Sequence, residues 1–277
     1  MQILGLCRFS YLGRGGFKVD HKTLEERRSF LYDPQRMDER LRLFEAITLP
    51  SIMGQTDPDF TLIVVTGETM PAPYVERLNA LVQGIPQIRI CPYPPGRHRN
   101  VMARAFHEAT DNTDIEPCLQ FRLDDDDAMG CRFVERFRET AWDLQSLWSK
   151  HDRIAVDFNT GYVFRADING VSIWPYKYQY SAIALGMIVQ PGCTDTIMSH
   201  GHHKLWTTMP TMTLTDEDMM MRGHNDFNDS RLKTGGNTFD YQPLTADQEL
   251  YFKKTFNIDN ANVREIFSRP PPEPLAI

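Results

Sequence analysis

Cysteine is scarce and scattered. Cys7, Cys91, Cys118, Cys131 and Cys193 are odd in number and form no CxxC pair. They read as free thiols in a reducing compartment rather than as a disulfide framework. A GxGxxG spacing is also missing, which removes the dinucleotide fingerprint. No apolar run approaches the length of a membrane span. Positive charge is in deficit: the formal net charge is -7. That argues against a nucleic-acid or anionic-membrane surface covering the whole protein, while leaving room for a local basic patch. The first eight residues are too short and too quickly charged for a signal peptide, so a cytoplasmic protein is expected. There is no internal repeat and no linker that divides the chain.

What remains is the composition of a soluble globular protein with a real core. Of the 277 residues, 41% are hydrophobic and 24% charged, enough for one large or two small domains. Residues 2–7 suit a first buried strand. Gly13, Gly15 and Gly16 then mark a loop over residues 11–18, read first as a flexible surface loop; the alternative is that Arg8 and Arg14 reach a nucleotide. Leu41, Phe44, Ile47 and, past the breaker Pro50, Ile52 recur at helical spacing. Residues 60–66 are the clearest strand, β-branched and bounded by Asp57-Pro58 and Gly67. A helix opens at Pro71 and runs to about Val82. Residues 87–91 form another strand, residues 92–100 a proline-rich basic loop with Arg97, His98 and Arg99, and residues 101–110 a helix, followed by an acidic turn over residues 111–116. Strand and helix patterns alternate this far, the mark of a mostly parallel sheet covered by helices. Beyond it, residues 133–148 predict one long amphipathic helix. Residues 154–158 and 161–165 predict a hairpin around Asn159-Thr160-Gly161. Residues 181–190 suit a strand. The aromatics Trp174, Tyr176, Tyr178 and Tyr180 suit core more than a sugar-stacking face. From Arg269 the proline-rich tail is expected to be extended or disordered.

The organising stretch is residues 118–128. A short apolar strand ends in four carboxylates, Asp124, Asp125, Asp126 and Asp127. Ligands of open α/β sheets sit at the carboxyl ends of strands, and adjacent carboxylates repel unless a cation intervenes. A hard divalent cation prefers oxygen ligands and can neutralise a diphosphate as it leaves. A solvated acidic turn is the plain alternative. An EF-hand loop is excluded in both frames. Starting at Asp124 puts Ala128 and Met129 at positions five and six, and starting at Asp125 puts Met129 and Arg136 at positions five and twelve. An aspartyl-phosphate enzyme would place its carboxylates after an opening strand, whereas three strands precede these.

Arg122-Leu-Asp-Asp-Asp-Asp-Ala128 resembles the Arg-Leu-Asp-x-Asp-Asp-Ala motif of the bacterial "putative rhamnosyltransferase" family, within the GT-A glycosyltransferases. Leu49-Pro-Ser-Ile-Met-Gly-Gln-Thr56, Asn159-Thr-Gly-Tyr-Val-Phe164, His203-Lys204-Leu205 and His224-Asn-Asp-Phe-Asn-Asp-Ser230 extend the resemblance over most of the chain. It implies one GT-A-like α/β domain over residues 1–268, with a nucleotide-binding half (1–130), an irregular acceptor half (131–268) and a tail (269–277). It also implies Mg2+ or Mn2+, a nucleotide-sugar donor and a saccharide or glycolipid acceptor, with no nucleic-acid partner. Peripheral association with a membrane stays open. By the same resemblance Asp124 lies near the ribose or the metal, Asp126 ligates the metal, and Asp127 either ligates it too or points toward the donor sugar. Asp125 matches the variable position. His224, completed by Asn228 and Ser230, is the candidate ligand from the second half. Arg8, Arg97 and Arg99 are candidates for the phosphates. An inverting transfer needs a base; Asp218, then Glu217, are the candidates, with His203 as rival. The competing functions are a metal-dependent phosphoester hydrolase and a non-catalytic carbohydrate-binding module.

Overall fold

The structure is a computed structural model and describes residues 1–15, 21–111, 115–227 and 239–271. Gly16, Lys18, Asn228, Ser230, the centre of the acidic turn after residue 111 and the tail from Pro272 lie outside the described residues.

The chain opens with β1 (Ile3–Arg8), then α1 (Leu24–Leu31) and α2 (Pro34–Leu43). Both helices carry N-terminal signals. Thr23 and Glu26 form a capping box, and Asp33 caps α2 ahead of Pro34. α2 does not stop at Pro50. A π-helical turn (Phe44–Thr48) carries it into α3 (Leu49–Met53). The wider turn shifts the hydrogen-bond register, so Pro50 falls in the first turn of α3, where its missing N–H is tolerated. Next come β2 (Thr61–Gly67), α4 (Ala72–Val82), β3 (Ile88–Tyr93) and α5 (His98–Ala109). α5 starts earlier than its apolar pattern suggests, so His98 and Arg99 belong to its first turn rather than to a loop.

β4 (Cys118–Asp124) leads through the acidic turn into β5 (Ala128–Met129). The long helix expected over residues 133–148 is broken at Leu144 into α6 (Phe133–Asp143) and α7 (Gln145–Trp148). Then follow β6 (Arg153–Phe158), β7 (Thr160–Asp167), β8 (Gly170–Lys177), β9 (Leu185–Val189), β10 (Thr211–Leu214), β11 (Met220–Gly223) and β12 (Gln242–Pro243). α8 (Ala246–Phe256) and α9 (Asn260–Ser268) close the order. Among the described residues no helix is long and apolar enough to cross a membrane.

Among the described residues the strands form two sheets. The larger has the order β10-β6-β9-β4-β1-β2-β3, and the smaller β12-β8-β7-β11-β5. In the larger sheet β3, β2, β1 and β4 run parallel, as do β6 and β10, while β9 runs antiparallel to both of its neighbours. It is a mixed, mainly parallel sheet flanked by helices, as the alternating pattern and the GT-A-like expectation required. The hairpin expected around Asn159 does not form. β6 pairs with β9 and β10 in the larger sheet, whereas β7 pairs with β8 and β11 in the smaller. β6 is buried along nearly its whole length, and two sheet neighbours satisfy it better than one edge partner. The true hairpin is β7–β8, turning at Gly170 with φ +101°.

The two halves share their core. The stretch from α2 to α3 sends Leu41, Phe44 and Ile52 beneath the larger sheet, and Leu43, Ala46 and Ile47 against the smaller one with α8 and α9. The start of the tail is held rather than loose. Arg42 donates to the carbonyls of Arg269 and Pro270 at 2.8 and 3.2 Å.

Candidate active site

Strands β1 and β4 lie side by side, and from them the sheet proceeds in opposite directions, to β2 and β3 on one side and to β9 on the other. Such a reversal opens a crevice at the strands' carboxyl ends. Arg8 and Asp124 are register partners there, each the last residue of its strand. Around them is a cleft lined by the guanidinium groups of Arg8, Arg40, Arg99, Arg122 and Arg222, the carboxylates of Asp124, Asp126 and Asp127, and the imidazoles of His98, His200, His202 and His203.

The acidic turn is held from three directions. Asp127 N–H donates to the Asp124 carbonyl at 3.2 Å, closing the turn. Arg40, on the buried face of α2, donates through Nε to Asp125 at 3.2 Å, through Nη2 to the same carboxylate, and through Nη1 to Asp126 at 2.8 Å. Thr48 donates its hydroxyl to the Asp127 carbonyl at 2.9 Å. Gly223 N–H donates to Asp127 Oδ1 at 2.8 Å. Gly223 must be glycine: a Cβ there would meet the Asp126 carbonyl oxygen at 2.4 Å.

The carboxylates therefore differ. Asp125 is fully buried and faces Arg40; burial pushes its carboxyl up, against the pull of Arg40. Although it matches the variable position, it anchors the guanidinium that steadies the turn. Burial also works to raise Asp124, but Arg8, Arg122 and Arg40 outweigh it and hold its carboxyl below the usual range. Asp127 is driven well above that range by burial first, then by the charges of Asp126 and Asp124. A cation would relieve that repulsion, and the donors are all hard oxygens. The chemistry of Asp124, Asp126 and Asp127 thus fits Mg2+ or Mn2+. Among the described residues no cluster of three or more His, Cys, Asp or Glu side chains stands at metal-holding geometry.

Five guanidiniums line the cleft against three carboxylates, although Arg40 among them is already paired with Asp125 and Asp126. His98 is pushed down to about 3 by burial and by Arg8 and Arg122. His202 is pushed down to about 4 by burial and by Arg122. Both are neutral at physiological pH, and the surplus suits an anion.

Among the expected site residues, Arg8, Arg99, Asp124, Asp126 and Asp127 line the cleft. Arg97 does not. It is exposed at the start of α5, where its backbone bridges to Arg14. His224 follows β11, as its position after an apolar run suggested, but it does not line the cleft; its ring meets the Tyr241 hydroxyl through Nδ1. Asp218 and Glu217 stand at the other end of β11. At about 3.3 Å per residue, that strand alone sets them more than 10 Å from Gly223. Asp218 accepts hydrogen bonds from Tyr162 at 3.0 Å and Tyr251 at 2.7 Å. Glu217 pairs with Arg132 at 2.9 Å and Arg136 at 3.2 Å. Neither belongs to the cleft. His203 does, and so do Arg40, Arg222, His98 and His202, which no motif marks as site residues.

A family model described as "Putative rhamnosyl transferase" matches residues 2–237. The chain belongs to that family. No curated protein matches it in sequence. Among solved structures, S. aureus TarS 1-349 is 9% identical with a TM-score of 0.42; the match covers 80% of this chain and 60% of TarS 1-349. The same protein in complex with UDP-GlcNAc is 8% identical with a TM-score of 0.45, covering 97% of this chain and 71% of that one. A "putative nucleotide-diphospho-sugar transferase" from Desulfovibrio desulfuricans G20 is 12% identical with a TM-score of 0.33, covering 82% and 83%.

Proposed function

We propose that the protein transfers a sugar from a nucleoside-diphosphate donor to a hydroxyl of a polysaccharide or glycolipid. Following the family's description, the sugar is rhamnose, carried as a deoxythymidine-diphosphate. The observation that carries this reading is the Arg8–Asp124 pair at the strand switch, set in a cleft with a surplus of guanidiniums. The diphosphate lies against Arg8, Arg122 and Arg222, which accept charge as the bond to the sugar breaks. Asp124, Asp126 and Asp127 would hold Mg2+ or Mn2+, which when bound would supply further neutralisation of the leaving diphosphate. Arg40 keeps the acidic turn fixed throughout. In the same reading the protein works in the cytoplasm and meets a lipid-borne acceptor peripherally.

Thermal melting with nucleoside diphosphates tests it. A ligand at about 100 times its Kd stabilises by about 2.7 kcal/mol, a rise of several degrees for a chain of this size. UDP or dTDP with Mn2+ is expected to raise the melting temperature, and Asp126→Ala to abolish the rise. Melting unmoved by every nucleoside diphosphate at millimolar concentration refutes the transferase reading.

A further inference from the structure

A transfer to a hydroxyl needs a proton acceptor, and among the described residues the carboxylates of the second half do not line the cleft. Within the cleft, Asp126 and Asp127 already accept from Arg40 and from Gly223 N–H. His200 turns its Nε2 to Asp195 at 3.2 Å and Arg153 at 3.1 Å. His202 differs. It opens a short 3-10 helix, His202–Thr207, and its Nδ1 contacts the Tyr180 carbonyl oxygen. A carbonyl can only accept, so Nδ1 carries the hydrogen and Nε2 keeps the lone pair.

The carbonyl that fixes this tautomer is itself fixed. Tyr180 has φ +53°, a left-handed conformation costly for a non-glycine residue. Its N–H donates at 3.1 Å to Asp157, a fully buried carboxylate at the end of β6 that also accepts from the Thr213 hydroxyl at 3.4 Å. Ala184, with φ +52°, closes the same loop, whose Ala182 and Ile183 wall the cleft. Strain of this kind persists only where the surroundings over-determine it. Here it aims one peptide group at one imidazole.

The geometry points to His202 as the base that deprotonates the attacking hydroxyl, with Asp157 and the Tyr180 peptide as positioning groups. This rests on the nucleotide-sugar reading. The hydroxyl oxygen forms a bond to the anomeric carbon as the bond from that carbon to the diphosphate oxygen breaks. The electron pair of the broken bond leaves on the diphosphate. The hydroxyl proton passes to His202 Nε2, and the imidazolium keeps its Nδ1–H bond to Tyr180 until it loses the proton to water. One displacement inverts the anomeric centre. The groups around the ring add a gate. Burial weighs most against the imidazolium, and Arg122 on β4, the neighbouring His203 and Arg222 on β11 add to that while the cleft is empty. Arg8, Arg99 and His98 line the same cleft, with Asp124 opposing them. A seated diphosphate offsets the guanidinium share of that bias and so strengthens the base when a donor is present.

The test uses His202→Asn, which keeps an N–H for the Tyr180 carbonyl and deletes Nε2. In 15N-histidine-labelled protein, the resonance lost in this variant is expected as the Nδ1–H tautomer at pH 7, with a pKa that rises when dTDP and Mg2+ are added. The variant is expected to melt like the wild type and to keep its dTDP-induced shift. Release of dTDP from dTDP-rhamnose should fall by about 10²- to 10⁴-fold, and the wild-type product should be inverted. An Nε2–H tautomer, a retained anomeric configuration or near-wild-type turnover in the variant overturns the assignment. Wild-type protein that neither UDP nor dTDP stabilises overturns the nucleotide-sugar reading instead, and the tautomer is still read on its own.

Discussion

Replacing Asp157 by Asn removes a buried charge and leaves its contacts in place. The carboxyl is pushed from an ordinary 3.8 to about 6, chiefly by burial, with the Tyr180 N–H and the Thr213 hydroxyl opposing. Below pH 4 the group is protonated in folded and unfolded chains alike and costs nothing. Between about 4 and 6 the unfolded chain ionises first, so stability falls as pH rises; above about 6 the loss is complete. At 1.36 kcal/mol per pH unit it amounts to about 3 kcal/mol. Asparagine keeps an oxygen for the Tyr180 N–H and offers an N–H to the Thr213 oxygen, with no charge to bury. Asp157→Asn is therefore expected to be about 2 to 3 kcal/mol more stable than wild type at pH 7.5 and about equal at pH 4. Urea unfolding across that range measures both. A variant less stable than wild type at pH 7.5, or a difference that does not vary with pH, refutes the reasoning.

Arg40→Met strips the partner from Asp125 and Asp126 and should destabilise by about 3 to 5 kcal/mol, the cost of uncompensated buried charge, read by urea unfolding. Gly223→Ala forces the end of β11 off the acidic turn and should remove dTDP binding by calorimetry while the protein remains folded by circular dichroism. Arg8→Gln should weaken dTDP by about 10- to 100-fold, the worth of a hydrogen bond to a charged group, and flatten the salt dependence of binding. Glu217→Gln breaks only partly exposed ion pairs worth at most about 1 kcal/mol, and turnover should stay within about threefold of wild type.

The parts of this protein legible in the sequence are those that local chemistry decides. The β-branched run of β2 and the apolar strand ending in four carboxylates appear where the pattern puts them. The capping pairs Thr23–Glu26 and Thr245–Gln248 were equally legible and would have revealed α1 and α8. The false hairpin at Asn159 shows the limit: the turn signal is local, while the choice between two sheets rests on partners far away in the chain. The site divides the same way. The acidic turn announces itself, but its counter-ion does not, because Arg40 lies in another element. A signal was present, since helical spacing sets Arg40 on the same buried stripe as Met37 and Leu41, and an arginine there needs a buried carboxylate. The first candidates for the base, Asp218 and Glu217, lie close in sequence to β11, whose length carries them away from the cleft, whereas their rival His203 does line it. His202 depends on a backbone carbonyl twenty-two residues earlier, which no motif records.

β4 ends the larger sheet's contribution at Asp124, and four residues later β5 joins the smaller sheet. The acidic turn is thus one of the crossings between the two layers. Whatever the cleft holds is gripped on both sides of that crossing, by Arg8 and Arg122 from one layer and Arg222 from the other. An occupant should fasten the layers to each other, so that the loaded protein melts as one unit at a single, higher temperature.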